Sequence, residues 1–260
     1  MSFQFVLLWS DALLFVLIAA IVALTLWARR QDALRAAWGR VAQDGMAMAA
    51  ATVLAVFVVI GVLDSLHYRP QLEAQAGAPA GAPARYAVEV NSALDALLSD
   101  LRQRSEKTYS APLATHLFSK EALENSTQRE FPRLKYGGAH LGKDLAGHEF
   151  DIAIRVSRGF AGGAVLWLLL AMLWCRHKGL QLLTVLSSLM PGVGAGDTAK
   201  SAATGAVFVT LLAILLLLGI AISLGAGYHV FGTDKVGQDV LYLSLKSIRT
   251  GLLIGTLTRW

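Results

Sequence analysis

Apolar and polar stretches alternate along this chain on the scale of membrane crossings. Four apolar runs occupy 5–28, 46–66, 160–174 and 202–224. A bilayer core about 30 Å thick takes about 20 apolar residues to cross as a helix. The first, second and fourth runs meet that length, and the third meets it if the helix begins upstream in the polar residues before it. A polar region, 67–158, separates the second run from the third. The end of the chain changes period: Leu241, Leu245, Ile248 and Leu252 recur at i, i+4, i+7 and i+11, one face of an amphipathic helix. The apolar stretch TGLLIGTL follows it. The pattern predicts an all-α integral membrane protein with four transmembrane helices, the start of a fifth, and a small external domain between helices 2 and 3. Its parts are two N-terminal transmembrane helices with their loop (1–66), the external domain (67–158), helices 3 and 4 (159–228), and the segment 229–260.

Within the polar region, AQAGAPAGAPA at 74–84 has nothing to bury and reads as a linker. Val90, Leu94, Leu97, Leu98 and Leu101 form a helical stripe, which predicts an amphipathic helix over 88–105, ending before Pro112.

Composition strengthens the membrane assignment. Hydrophobic residues make up 55% and charged residues 16%, with a mean hydropathy of +0.53, beyond the range of ordinary soluble domains. The net charge of +5 does not point to nucleic acid, because the basic residues cluster beside apolar runs. Arg29, Arg30, Arg35 and Arg40 follow the first run, and Arg176, His177 and Lys178 follow the third. The positive-inside rule then places these ends in the cytoplasm and the N-terminus outside. No Lys or Arg precedes the first run, which is also too long for a signal peptide. Asp11 lies about one turn inside the outer surface, where its carboxylate is expected to reach the headgroups. The single cysteine, Cys175, excludes an internal disulfide and reads as a small packing residue.

The stretch after the fourth run is HVFGTDKVGQDVLYLSLKSIR, 229–249. Gly232 and Gly237 suit a turn with unusual backbone angles, and Thr233 or Asp234 can cap the helix that follows. This stretch resembles the segment that leads into the translocation core of dipeptide/oligopeptide/nickel-type ABC transporter permeases, H-P-x-G-T-D-x-x-G-R-D-V-L. His229, Gly232, Thr233, Asp234, Gly237, Asp239, Val240 and Leu241 fit that pattern, while Val230 stands at the usual Pro and Gln238 at the usual Arg. The resemblance covers about thirty residues. It implies a permease subunit in a bacterial inner membrane, paired with a second permease subunit, cytoplasmic ABC ATPases and a periplasmic solute-binding protein. No cofactor is implied in this chain, ATP being bound by the partner subunits. The family's coupling loop has no counterpart here, and residues 249–260 amount to about 18 Å of helix, so the resemblance implies a partial or truncated permease. A membrane-anchored interaction or sensory protein, with 67–158 as its working domain, is the alternative from a different class.

Other motifs carry less chemistry. An offset of 90 aligns Gly142, Asp144, Gly147 and Glu149 with Gly232, Asp234, Gly237 and Asp239. A degenerate repeat and a chance match in a glycine-rich chain both account for it. His140, Asp144 and His148 have a metal-like spacing, but Gly142 and Gly147 oppose a continuous helix, which favours a solvated turn. GAGDTAKS at 194–201 departs from a phosphate loop, with Ala199 at its second glycine and no strand before it. Gly251 and Gly255 form a G-x-x-x-G, which suits close helix packing as well as ordinary membrane-helix glycine content. No constellation of catalytic side chains stands out.

Overall fold

The computed structural model describes residues 3–72, 85–122, 129–142, 147–179 and 199–258. The expected linker at 74–84, Asp144 and most of the GAGDTAKS segment lie outside the described residues. The chain divides into two compact units: Met1–Arg30, Val56–Gln103 and Tyr242–Trp260 form the first, and Gln31–Ala55 with Arg104–Leu241 the second.

Four helices are long and apolar enough to cross a membrane: α1 (Trp9–Ala28), α3 (Gly45–Ser65), α6 (His148–Lys178) and, within α7 (Ala199–Gly225), residues Ala202–Gly225. The protein is mostly helical and is a multi-pass membrane protein. The third apolar run does extend upstream: α6 begins at His148, twelve residues before the run, and ends at Gly179 in a left-handed cap. The amphipathic α2 (Asp32–Val41) joins α1 to α3 and buries none of its residues. The last helix, α8 (Val240–Leu257), is not among the four; Lys246 and Arg249 interrupt its apolar character.

Two expectations need correction. The chain is not purely helical. In the first unit β1 (Phe3–Val6) pairs antiparallel with β2 (His67–Pro70), which pairs with β3 (Asn91–Ser92). The apolar run that begins at Phe5 therefore starts as a strand, its backbone committed to β2, and turns helical only at Trp9. In the second unit β4 (Glu121–Ala122) pairs with β5 (Arg129–Glu130). The single helix expected over 88–105 is broken into α4 (Ala93–Leu97) and α5 (Ser99–Gln103). Residues 91–92 belong to the sheet, and Ser92 with Asp95 forms a capping box that fixes the helix start at Ala93. Leu94 is buried while Leu97 is exposed, so the stripe is not buried as one face.

Burial in the first unit is inverted relative to a soluble protein. In α1 the buried residues are Asp11 and Leu14, and in the described part of α3 they are Gly61, Asp64 and Ser65. The apolar side chains of these helices, Leu13, Val16, Ile21 and Val59 among them, face outward, as they should where the surroundings are lipid. In the second unit α6 and α7 make a glycine seam. A Cβ on Gly159 would lie 2.5 Å from the Gly219 carbonyl oxygen, and one on Gly163 the same distance from that of Leu215. Small residues thus give close helix approach here, while a Cβ on Gly251 or Gly255 would meet nothing within 4 Å. Farther along the seam Trp167, Ala171, Cys175, Phe208 and Leu215 form the core, and Trp167 Nε1 donates to the Phe208 carbonyl at 3.0 Å. Cys175 is one of these packing residues.

Candidate functional site

The 229–241 turn is tied into the rest of the second unit through His229, Thr233 and Gly237. His229 is 1% exposed. Its Nδ1 lies 2.7 Å from Asp239 Oδ2 and its Nε2 3.3 Å from Glu106 Oε1. Glu106 in turn accepts from the backbone N–H groups of Lys135, Tyr136 and Gly137. The imidazole thus closes the turn on itself, through Asp239, and bolts it to the preceding polar segment, through Glu106. Thr233 Oγ1 donates to the Thr108 carbonyl at 2.8 Å, and the Leu113 N–H donates to the His229 carbonyl.

Gly232 (φ 76°) and Gly237 (φ 80°) are both left-handed. A Cβ at either would strike backbone, the Ser110 carbonyl oxygen in the first case and that of Glu106 in the second. Glycine is therefore required twice over, by conformation and by space. The helix cap is Asp239, whose Oδ1 accepts from the Leu241 N–H, and not Thr233 or Asp234. Asp234 stabilises the turn itself, accepting from Val236 and Gln238 N–H at 2.9 and 2.8 Å. Val240 N–H donates to the Gly232 carbonyl, which joins the start of α8 to the turn.

Burial alone would lower the His229 pKa, but the hydrogen bonds and charges of Asp239 and Glu106 outweigh it and push it up to about 9. Burial raises the Glu106 carboxyl, yet His229 and the three N–H donors bring it down to about 2. The site therefore holds an imidazolium between two carboxylates at neutral pH. Because the folded pKa of His229 stands above its ordinary 6.5, its contribution to stability is whole below about pH 6.5 and is lost as pH rises through about 9. Thermal unfolding in detergent should therefore fall between pH 6.5 and 9, and His229→Gln should flatten that fall while lowering stability at pH 6. An unchanged slope in His229→Gln would contradict the ion-pair assignment.

A second polar constellation, in the first unit, was not legible as such. Tyr242, Lys246 and Arg249 lie along α8 at i, i+4 and i+7, one residue on from the leucine stripe and so about 100° round the helix from it. Tyr242 Oη donates to Asp95 Oδ1 at 2.6 Å, and Lys246 Nζ is 2.9 Å from the same oxygen. Arg249 Nη1 donates to Asp11 Oδ1 at 2.9 Å, and its Nε lies 3.3 Å from Asp64 Oδ2. Asp64 also accepts from Ser92 Oγ at 3.0 Å, and Asp11 contacts His67 Nδ1 at 2.8 Å. Asp11 and Asp64 are 0% and 1% exposed. Asp11 thus does not reach outward to headgroups: it accepts from Leu8 N–H, His67 and Arg249. Burial opposes ionisation of Asp95, but Tyr242, the Ser92 N–H and Lys246 outweigh it and hold the carboxyl at about 2. Three carboxylates from α1, α3 and α4 therefore meet the basic face of α8.

His140 and His148, in the segment that aligns with 229–241 at an offset of 90, both have partners. His140 Nε2 lies 2.7 Å from Asp151 Oδ2, and His148 Nε2 donates to the Leu113 carbonyl at 3.0 Å. Among the described residues no group of His, Cys, Asp and Glu is arranged to hold a metal. The two aligned segments differ in shape: Gly142 has a positive φ like Gly232, but Gly147 (φ −88°) caps α6 where Gly237 has φ 80°.

No protein-family model, curated protein or solved structure matches the chain.

Proposed function

We propose that the chain is a permease subunit of an ATP-driven transporter of the peptide/nickel type, set in a bacterial inner membrane. The observation that supports it best is the division of labour in the 229–241 turn. Of the eight positions shared with the family pattern, His229, Gly232, Thr233, Asp234, Gly237 and Asp239 each have a geometric task, and Val240 and Leu241 start the helix those tasks aim. Such a turn sets where α8 begins, which a translocation core requires of its first helix. With the arginine-rich ends of α1 and α6 in the cytoplasm, the turn and the folded part of 67–158 lie on the periplasmic side. ATP hydrolysis then belongs to cytoplasmic ABC ATPases, and substrate delivery to a periplasmic binding protein.

Purification from native membranes in a mild detergent tests this assignment. We expect a second multi-pass subunit and ATP-binding cassette subunits in fixed ratio to the chain, with ATP hydrolysis in the purified complex. Isolation of the chain without any ATPase, under conditions that keep it folded, would overturn the assignment.

A further inference from the structure

We propose that the second unit carries a binding site for one anionic phospholipid, with an acyl chain in a cavity beside the α6–α7 seam and its phosphate held by basic residues at the same end of these helices. The cavity measures about 430 Å³ and is walled by Ala42, Met48, Leu170, Trp174, Val207 and Phe208, with neighbours on α7. Its origin lies in the seam. Where Gly159 and Gly163 meet the backbone of α7 the helices touch directly; toward the other end Trp174 and Phe208 stand between them, ring to ring at 5.0 Å. Large side chains hold the helices apart and the start of α3 covers the gap only in part. The walls are overwhelmingly apolar, so water gains little there, while a hydrocarbon chain gains the burial of its methylenes. In a membrane protein the ligand with such a chain is lipid.

Charge selects the headgroup. Arg40 lies two residues before Ala42, and Arg176 and Lys178 lie two and four residues after Trp174, all three exposed. The start of α3 and the end of α6 share one side of the membrane by chain direction, so these cations stand at the headgroup level of the cavity's end, with Lys178 one turn beyond Trp174 on the same face of α6. Basic residues between membrane helices on one side suit phosphate headgroups. The nearest acid in sequence, Asp44, is engaged by the N–H groups of Met46 and Ala47 at the start of α3.

Native mass spectrometry of the detergent-purified chain, with dioleoyl phosphatidylglycerol or dioleoyl phosphatidylcholine added at equal concentration, tests the site. The anionic lipid should be retained about ten-fold more than the zwitterionic one, since each basic residue contributes a several-fold preference. Val207→Trp, which fills the cavity, should remove retention of both lipids, whereas Leu218→Trp, at an exposed position toward the other end of α7, should leave it unchanged. Arg176→Gln with Lys178→Gln should lower phosphatidylglycerol to the phosphatidylcholine level without touching the cavity. Equal retention of the two lipids by the unaltered chain, or undiminished retention in folded Val207→Trp, would overturn the proposal.

Discussion

Gly237→Val should leave almost no folded protein in the membrane. At φ 80° a β-branched residue is strained by about 1–2 kcal/mol from conformation alone. The larger effect is steric, because the new Cβ would coincide with the carbonyl of Glu106. That backbone cannot yield cheaply. Glu106 N–H donates to the Gly237 carbonyl at 2.9 Å, and its side chain holds His229 and three further N–H groups. Shifting Glu106 dismantles the buried ion-pair set, a loss that ranks with severe substitutions of about 4 kcal/mol or more. Membrane abundance, read by immunoblot against an unaltered control, should fall at least several-fold. Asp234→Asn provides the contrast: its Oδ1 can still accept from Val236 and Gln238, so abundance should stay near the control. Normal accumulation of Gly237→Val would show that the turn has another conformation.

The second large effect is expected at Arg249. Its guanidinium answers two carboxylates that have almost no access to solvent, Asp11 and Asp64. Arg249→Leu keeps much of the apolar stem and removes the charge, which leaves both acids short of a partner. Breaking a buried ion pair from one side costs about 3–5 kcal/mol, because the stranded charge remains desolvated. Thermal unfolding followed by size-exclusion chromatography in detergent should show a large drop in midpoint. Adding Asp64→Asn should recover part of it, since the stranded charge is then reduced. A change within the error of the unaltered protein, or no coupling between the two substitutions, would mean that the acids are not held by α8.

The parts of the fold that were legible are those set by hydropathy over a full membrane thickness. The runs at 46–66 and 202–224 correspond closely to α3 and α7, because about 20 apolar residues have few alternatives to a helix in lipid. Boundaries failed where a tertiary partner intervened. Phe5 and Val6 look like the start of a span but are committed to β2, and Asn91–Ser92 look helical but are committed to the same strand. The turn was legible as a turn because glycine and capping residues are local signals. Glu106 was not, since its link to His229 spans more than a hundred positions and leaves no periodic trace. The basic face of α8 was present in plain sight at 242, 246 and 249. Its partners are not local: Asp11, Asp64 and Asp95 lie more than a hundred positions upstream and leave no periodic trace beside the adjacent leucine stripe. Asp11 and Asp64 are acids at the ends of apolar runs, and the rarity of such acids was the one available sign that they needed partners.

The proposed transporter requires the 229–241 turn to lie on the periplasmic side of the membrane. Cysteine labelling in intact cells tests that placement directly, in a Cys175→Ala background so that the introduced thiol is the only one. Lys107→Cys and Lys235→Cys, both at exposed positions in the turn's own unit, should react with a membrane-impermeant maleimide added outside, while Gln43→Cys should react only after the membrane is permeabilised. Labelling of Gln43→Cys from outside, with Lys235→Cys protected until permeabilisation, would contradict it.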